Sequence, residues 1–203
     1  LSLLSKVIDI LKKRGEDVPV EILNNLGVFH FIKGNPESAN TFFKSAFEAN
    51  QSEDLNITLT YNIARTEENS NTEDSISKYN DILEKSPGYI YSKIRLLFLQ
   101  IISSDVKNDE ELEKKLNDLL QSHVSNLEVR AFYSWYLKRT NRSSNDKGEN
   151  LESKHNKETL VKYDSHDTYA LISLGNLYCA IAREIKGKTP QDIEKKNQSY
   201  VRG

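Results

Sequence analysis

Four histidines and a single cysteine are among the side chains of this 203-residue chain that could bind a metal ion or take part in catalysis. They are His30, His123, His155, His166 and Cys179. Metal sites place such ligands at short, fixed spacings, whereas these five are scattered along the chain. His30 falls at a core position of a predicted helix, so we interpret it as packed or hydrogen-bonded, and Cys179 is predicted to be a buried, inert thiol. The pattern predicts neither a metal site nor a cofactor.

Other residue patterns that could support catalysis are also weak. Gly27 and Gly34 are the closest pair of glycines, but a helix is predicted between them, so they do not form a phosphate-binding loop. The adjacent acids at 67–68 must point to different faces of a helix, and we interpret them as solvated charges. His166 and Asp167 precede a predicted helix and are typical of a cap rather than of a catalytic pair. The sequence therefore predicts a protein that is not an enzyme and has no small-molecule substrate.

Composition favours an extended repeat protein. Apolar residues make up 37% of the chain and charged residues 29%, with a mean hydropathy of -0.63. A compact globular domain usually carries about 45–50% apolar residues, whereas a solenoid buries only the seams between its units. The formal charge of -2 and the pI near 6.2 argue against direct binding of nucleic acid. The apolar runs are too short to cross a membrane, and a lone cysteine is typical of the nucleus or cytosol.

An internal repeat is the strongest pattern in the sequence. Gly27 lies on one predicted helix, and Ala39, Phe43 and Ala46 follow on the next at positions i, i+4 and i+7. Small residues let paired helices approach closely, and Phe43 is expected to fill the wedge toward the following unit. This pattern matches tetratricopeptide repeats, whose period is about 34 residues.

Equivalent first-helix sites recur at positions 27, 64, 97, 134 and 175, and four of these five carry a small residue. The residues predicted to pack the repeats are Gly27, Ala39, Phe43, Ala46, Ala64, Tyr79, Pro87, Ser134, Gly175 and Tyr178. A plain helical bundle is the alternative, but it gains nothing from a small–aromatic–small pattern at a regular interval.

We therefore predict an all-α fold of about ten helices, arranged as a right-handed superhelical tetratricopeptide-repeat solenoid of about five helix pairs. The predicted boundaries are 1–14 for the second helix of a preceding repeat, 20–51, 57–88, 90–123 and 127–163 for successive repeats, and 168–203 for an incomplete repeat. A polar insert at 139–157 is predicted to be a loop or a weakly held helix start. After it, Leu160, Val161 and Tyr163 are predicted to face inward. Because helical character begins at the first residue, we expect a fragment of a longer array that needs flanking sequence or a partner for full stability.

Three strings resemble a known family: residues 21–31 (EILNNLGVFHF), 61–65 (YNIAR) and 166–178 (HDTYALISLGNLY). The family is the tetratricopeptide scaffold (Cln-three-requiring) subunit of the RNA polymerase II-associated factor (Paf) complex. The resemblance implies a nuclear scaffold that acts in transcription elongation and couples it to histone modification. It also implies, as partners, the other subunits of the complex, including the Paf-type and parafibromin-type subunits, and RNA polymerase II. The middle of the chain departs from the family, since Leu97 replaces the small residue there.

A partner would bind the concave face, which the first helices of such a solenoid line. The predicted positions on this face are Asn24, Val28, Tyr61, Arg65, Phe98, Trp135 and Asn176. Aromatic residues and arginine most often dominate interface energies. We therefore hypothesise that Tyr61, Arg65, Phe98 and Trp135 form a partner groove. Packing between repeats is the alternative interpretation for Phe98 and Trp135.

Three other classes of protein compete with this interpretation. A chaperone adaptor of the same fold binds a C-terminal carboxylate through Lys and Asn, but Val28 and Tyr61 occupy places where that clamp needs polar groups. A helical-repeat adaptor of another nuclear or RNA-processing complex would show a salt-dependent shift on RNA or DNA if it bound nucleic acid. A helical, non-catalytic lobe of an enzyme is the third alternative.

Overall fold

A computed structural model of the chain describes residues 2–103, 110–140, 150–184 and 190–202. Within these ranges the chain forms eleven α-helices and no β-strand, which confirms the all-α prediction. The helices are α1 (Ser2–Arg14), α2 (Val20–Ile32), α3 (Pro36–Ala49), α4 (Glu53–Glu67), α5 (Thr72–Lys85), α6 (Ile90–Ser103), α7 (Glu110–Ser122), α8 (Leu127–Thr140), α9 (Leu151–Lys162), α10 (Thr168–Glu184) and α11 (Pro190–Arg202). The chain divides into two compact units, Leu1–Leu99 and Gln100–Gly203.

Helical hairpins build the first unit. Helix α2 packs against α3, α3 against α4, and α4 against α5. The turn between α2 and α3 is tight because Gly34 adopts a positive φ of 78°, which few other residues tolerate. Pro36 then occupies the first turn of α3, where its missing N–H leaves no hydrogen bond unmade.

Gly27 marks the closest approach of α2 and α3. A Cβ atom built at this glycine would lie 2.4 Å from the Phe43 ring. That ring is only 2% exposed, and it packs in one cluster with Ala39 and with Ile63 of α4. Phe43 therefore joins three helices, and the close fit depends on the absence of a side chain at residue 27.

We expect Gly27→Ala to lower the free energy of unfolding by up to about 2 kcal/mol. Alanine favours a helix by about 1 kcal/mol over glycine, but overpacking a close-packed core costs about 1–3 kcal/mol. Chemical unfolding followed by circular dichroism measures the change. Gly88→Ala is the matched control, because nothing lies within 4 Å of a Cβ at that position. An unchanged or increased stability of Gly27→Ala would contradict the packing argument.

A second core of this unit lies between α4, α5 and α6. It contains Ala64, Tyr79, Ile82 and Leu99, which are all almost fully buried. The buried Ser75 hydroxyl donates a hydrogen bond of 3.0 Å to the Ala64 carbonyl, so the small residue of α5 also binds α4. Helix α5 ends at Lys85.

Pro87 was predicted to pack between repeats, and this prediction is wrong. The structure places it exposed in the turn after α5. Because proline cannot donate a backbone hydrogen bond, its position there fits the end of a helix rather than a packing contact.

Leucines of α7 and a polar seam of α9 organise the second unit. The stripe predicted on α7 is buried at Leu112, Leu116 and Leu119. Ser134 and Ala170 are also buried, whereas Gly175 and Tyr178 are half-buried. Helix α8 packs against α7 and α9, and α10 packs against α9 and α11.

Helix α9 begins at Leu151, inside the segment predicted to be a polar insert. Residues 141–149 of that segment lie outside the described residues. The Asn150 side chain caps the helix by accepting a hydrogen bond of 3.0 Å from the Ser153 backbone N–H. The face of α9 that packs inward is polar and consists of Glu152, Ser153, His155, Asn156 and Thr159. The prediction that Val161 faces inward is wrong, since it is 84% exposed, because the polar side chains occupy the buried face.

Arg130 of α8 explains how this polar face is buried. The side chain is 2% exposed and donates hydrogen bonds to the Thr159 hydroxyl (2.8 Å), the Val124 carbonyl (3.1 Å) and the His155 carbonyl (3.3 Å). Its guanidinium also lies 4.2 Å from the centre of the Tyr163 ring. Buried polar groups are stable only when their hydrogen bonds are made. The Arg130 contacts therefore replace the apolar seam that the other helices use.

His155 completes the seam from the opposite side. Its Nε2 lies 3.0 Å from the Arg130 carbonyl, so the neutral ring carries its proton on that nitrogen and donates it. Burial, with a smaller effect of the Arg130 charge, lowers the pKa of His155 to about 4. The imidazole is consequently neutral in the folded protein at neutral pH.

Candidate partner-binding surface

The residues predicted to line a partner groove fall into both units. Asn24, Val28, Tyr61, Arg65 and Phe98 belong to the first unit. Trp135 of α8 and Asn176 of α10 belong to the second. The surface is described below for each unit by itself.

Helices α2 and α4 are joined on this face by two asparagines. The Asn62 side chain donates a hydrogen bond of 2.8 Å to the Asn24 Oδ1 atom. Asn24 is half-buried, so its amide is already engaged within the unit. Val28, one turn along α2, is 37% exposed and is available to a partner.

Arg65 forms an ion pair with Glu68 at the end of α4. Its Nη1 atom donates to both carboxylate oxygens of Glu68, at 3.0 and 2.9 Å. The guanidinium carbon lies 5.3 Å from the centre of the Phe31 ring of α2. Such cation–π contacts favour a fixed position of the charge. Arg65 nevertheless keeps 25% of its side chain exposed.

Glu68 binds a second arginine and a tyrosine. Arg95 of α6 donates from Nε and Nη2 to the two carboxylate oxygens, at 2.8 and 2.5 Å. The Tyr79 hydroxyl of α5 donates to the same carboxylate at 2.6 Å. Burial by itself would raise the pKa of Glu68, but the hydrogen bonds from Arg95 and Tyr79 and the charges of the two arginines outweigh it and lower that pKa. Glu68 is therefore ionised and connects the end of α4 to α5 and α6.

The interpretation of the acids at 67–68 as solvated charges is wrong. Glu68 is only 9% exposed and Glu67 14%. They do point to different sides, as predicted, because Glu67 pairs with Lys44 of α3 at 3.1 Å and Lys78 of α5 at 2.8 Å. Each carboxylate lies between cations of neighbouring helices, and this pairing offsets the cost of partial burial.

Tyr61 lies in a cluster of four tyrosines. Its ring centre is 5.7 Å from that of Tyr79, 5.6 Å from Tyr89 and 6.1 Å from Tyr91. Burial and the neighbouring phenols raise the pKa of Tyr89 to about 12, and burial also raises the pKa of Tyr61. The Tyr61 and Tyr89 phenols are thus neutral near pH 7. Tyr91 is 47% exposed and presents the cluster to solvent.

We use the name Arg–Tyr patch for Tyr61, Arg65, Tyr91 and Arg95. Phe98 packs against this patch, because the Arg95 guanidinium carbon lies 4.1 Å from the centre of the Phe98 ring. Phe98 itself is half-buried against the core of Ala64 and Tyr79. The structure thus brings Tyr61, Arg65 and Phe98 together within the first unit, with Phe98 mainly in a packing position. That these residues form a partner groove with Trp135 stays a prediction.

In the second unit, Trp135 stacks on Phe132 of the same helix. The ring centres are 5.7 Å apart and the planes differ by 15°. Arg139 lies 5.8 Å from the indole, and Trp135 is half-buried. Asn176 is exposed on α10, one turn after Ile172, which is 59% exposed.

Sequence reasoning missed Glu68 and Arg95 as parts of this surface. One signal was present: Arg95 interrupts the mainly apolar run from Ile94 to Ile102, and a charge in such a run needs a partner when it is buried. The partner itself could not be inferred, because Glu68 lies in the turn after α4 and neither spacing nor periodicity relates the two residues.

Of the residues considered for catalysis or metal binding, His30 and Asp167 have structural roles. The His30 ring stacks on Phe42 with ring centres 5.2 Å apart. The Asp167 Oδ1 atom accepts a hydrogen bond of 2.8 Å from the Ala170 backbone N–H and so caps α10, whereas His166 is exposed. Cys179 is half-buried rather than buried. Across the described ranges, no three His, Cys, Asp or Glu side chains are grouped so that they could hold a metal ion. No helix in those ranges has the length and apolar character needed to span a membrane.

Curated proteins similar to this chain align along almost all of it, although no protein-family model matches. RNA polymerase-associated protein CTR9 of Saccharomyces cerevisiae is 43% identical over 206 residues, covering 100% of the chain and 19% of that protein. Tetratricopeptide repeat protein 1 of Schizosaccharomyces pombe is 32% identical over 205 residues, covering 100% of the chain and 19% of that protein. Protein CTR9 homolog of Arabidopsis thaliana is 25% identical over 248 residues, covering 95% of the chain and 21% of that protein.

The chain is a relative of the CTR9 proteins. The resemblance found in three strings of its sequence is confirmed, because the identity extends over the whole chain. The similarity to Tetratricopeptide repeat protein 1, together with the helical hairpins, confirms a helical-repeat fold. The chain spans about a fifth of the length of these relatives.

Proposed function

We propose that this chain is part of a protein–protein interaction scaffold in the RNA polymerase II-associated factor complex. The observation that carries the proposal is the 43% identity to RNA polymerase-associated protein CTR9, which extends over the whole chain and covers 19% of that protein. The proposed partners are the Paf-type and parafibromin-type subunits and, directly or through them, RNA polymerase II. In this role the protein acts in the nucleus, in transcription elongation and its coupling to histone modification.

The surface chemistry supports a binding role. The Arg–Tyr patch presents Tyr91 at 47% exposure beside Arg65 at 25%. Tyrosine and arginine are enriched among residues that dominate interface energies. Helices and paired charges hold these side chains in place, so a partner would lose little conformational freedom on binding. Val28, Trp135 and Asn176 are further proposed contacts of the two units.

A purification of the tagged full-length protein tests the proposal. We expect Arg65→Ala combined with Trp135→Ala to reduce the co-purified Paf-type and parafibromin-type subunits by about tenfold or more, since truncating a dominant interface residue costs at least about 2 kcal/mol. Quantitative mass spectrometry of the purified material measures this reduction. Lys114→Ala, at an exposed position of α7, is the control.

Circular dichroism must show that the double variant keeps its helical content, because Trp135 is half-buried against Phe132. Unchanged recovery of both subunits by a folded double variant would contradict these contacts. Absence of both subunits from the wild-type purification would contradict the proposed complex and favour a helical-repeat adaptor of another nuclear or RNA-processing complex, or a chaperone adaptor.

A further inference from the structure

We propose that the Arg–Tyr patch binds an acidic peptide segment of a partner, with an Asp or Glu side chain placed against Arg65 and Arg95. This inference rests on the proposed scaffold function and specifies the partner chemistry at one of its surfaces. Four properties of the patch support it: its charge, its remaining donors, its rigidity and its neighbouring aromatic ring.

The charge of the patch is not balanced. Two guanidinium groups, of Arg65 and Arg95, share the one carboxylate of Glu68, so two positive charges and one negative charge leave a net charge of +1. The Tyr61 phenol interacts electrostatically with Arg65, Arg95 and Glu68, and also with Tyr91. One additional carboxylate would neutralise the patch.

Donors also remain for such a carboxylate. Arg65 reaches Glu68 through Nη1, and among the described residues its Nε and Nη2 atoms donate no hydrogen bond. A guanidinium offers five N–H donors in a planar fork that matches a carboxylate. With 25% of the Arg65 side chain exposed, these donors are accessible from solvent.

Both arginines are already held in position. Arg65 lies over Phe31 and Arg95 over Phe98, at 5.3 and 4.1 Å from the ring centres. Immobilising a free, flexible side chain costs affinity, and that cost is small here because the contacts within the unit have already fixed both groups. Tyr91, exposed beside them, offers an apolar contact to the peptide next to its acidic residue.

The charge balance favours a carboxylate over a phosphoryl group. A carboxylate carries one negative charge and would bring the patch to neutrality. A phosphorylated side chain carries between about -1.5 and -2 at pH 7 and would leave an excess of negative charge beside the Glu68 carboxylate. The geometry therefore points to Asp or Glu in the partner.

A random-peptide phage library selected on the purified full chain tests the inference. We expect the selected peptides to be enriched in Asp and Glu. The strongest binder, synthesised with a fluorophore, is then measured by fluorescence polarisation, and binding should weaken as salt is added. Replacing its acidic residue by Gln should weaken binding by about tenfold, and replacing it by phosphoserine should also weaken it.

Variants of the chain locate the binding site. Arg65→Gln should weaken the peptide about tenfold, whereas Lys78→Gln, which removes a cation paired with Glu67 on the other side of α4, should leave it unchanged. Glu68→Gln should strengthen binding, because it raises the net charge from +1 to +2. Arg65→Lys serves if Arg65→Gln fails to fold, and should weaken binding by a smaller factor because the charge is kept and the fork is lost.

Selection of neutral or basic peptides, or of none, would overturn the inference, and so would unchanged affinity for a folded Arg65→Gln chain. If the chain bound the phosphoserine form of the same peptide more tightly than the acidic form, the preferred group would be a phosphoryl group rather than a carboxylate. That result would also overturn the inference. These outcomes are independent of the proposed function, which fails only if the full-length protein does not co-purify with subunits of the complex.

Discussion

Replacing Arg130 with methionine is expected to lower the free energy of unfolding by about 2–4 kcal/mol. The substitution removes the hydrogen bonds of the guanidinium to the Thr159 hydroxyl and to the Val124 carbonyl, and a hydrogen bond to a charged group contributes about 1.5–3 kcal/mol. It also removes the contact between the guanidinium and the Tyr163 ring. Methionine keeps an apolar stem of similar length, so the loss reports mainly on the hydrogen bonds.

Chemical denaturation followed by circular dichroism measures this change. Lys138→Met is the matched control on the same helix, because that lysine is exposed and surface substitutions usually change stability by less than about 0.5 kcal/mol. Arg130→Lys should give an intermediate loss, since the ammonium group keeps the charge but cannot replace the directed bonds of the guanidinium. A change below about 1 kcal/mol for Arg130→Met would show that water or neighbouring groups satisfy the seam without the arginine.

The second large effect is a loss of stability in mild acid that depends on His155. The unfolded chain binds a proton on this histidine near pH 6.5, whereas the folded chain does so only near pH 4. Between these values the unfolded state binds more protons, so the free energy of unfolding falls as the pH falls from about 6.5 to 4. A difference of this size corresponds to about 3 kcal/mol.

Denaturation midpoints measured from pH 7 to pH 4 test this dependence. His155→Gln should flatten the curve over that window, because the glutamine amide can still donate to the Arg130 carbonyl and does not titrate. His166→Gln, at an exposed position, should leave the curve unchanged. The carboxylates of Glu67 and Glu68 act at lower pH: their pKa values are lowered in the fold, so their contribution is lost as the pH falls through those lowered values. An equal acid sensitivity of wild type and His155→Gln would show that His155 does not control this window.

The packing of the first unit could be predicted from the sequence because it follows from the sizes of a few side chains. Gly27, Ala39 and Phe43 lie at intervals that fix which helices touch, and the structure places the Phe43 ring where a Cβ at residue 27 would be. Tyr79 and Ala64 repeat the same relation one hairpin later and share a core. Patterns of size and period are local along each helix, so they can be found without knowing the tertiary contacts.

Polar contacts between distant residues could not be predicted in the same way. Glu68, which follows α4, binds Arg95 of α6. Arg130 of α8 binds Thr159 of α9, and the segment of the chain between them has no apolar pattern. A polar stretch is ordinarily solvated, so the beginning of α9, up to residue 157, was predicted to be a loop or a weakly held helix start. Only the tertiary structure shows that its polar side chains face a buried arginine.

The candidate surface was predicted in part. Tyr61 and Arg65 were chosen from their register on a first helix, and the structure places them in one patch. The net charge of that patch depends on Glu68 and Arg95, which were not chosen, so the acidic character of its partner could not be inferred from the sequence.

The polar seam between α8 and α9 restricts how these helices can vary among related proteins. An apolar seam tolerates many exchanges of similar volume, whereas directed bonds require donor and acceptor to remain matched in position. Arg130 and Thr159 should therefore be retained together or replaced together in homologous chains. A chimaera that receives only one of the two helices from a relative lacking this pair should fold poorly, while one that receives both should not.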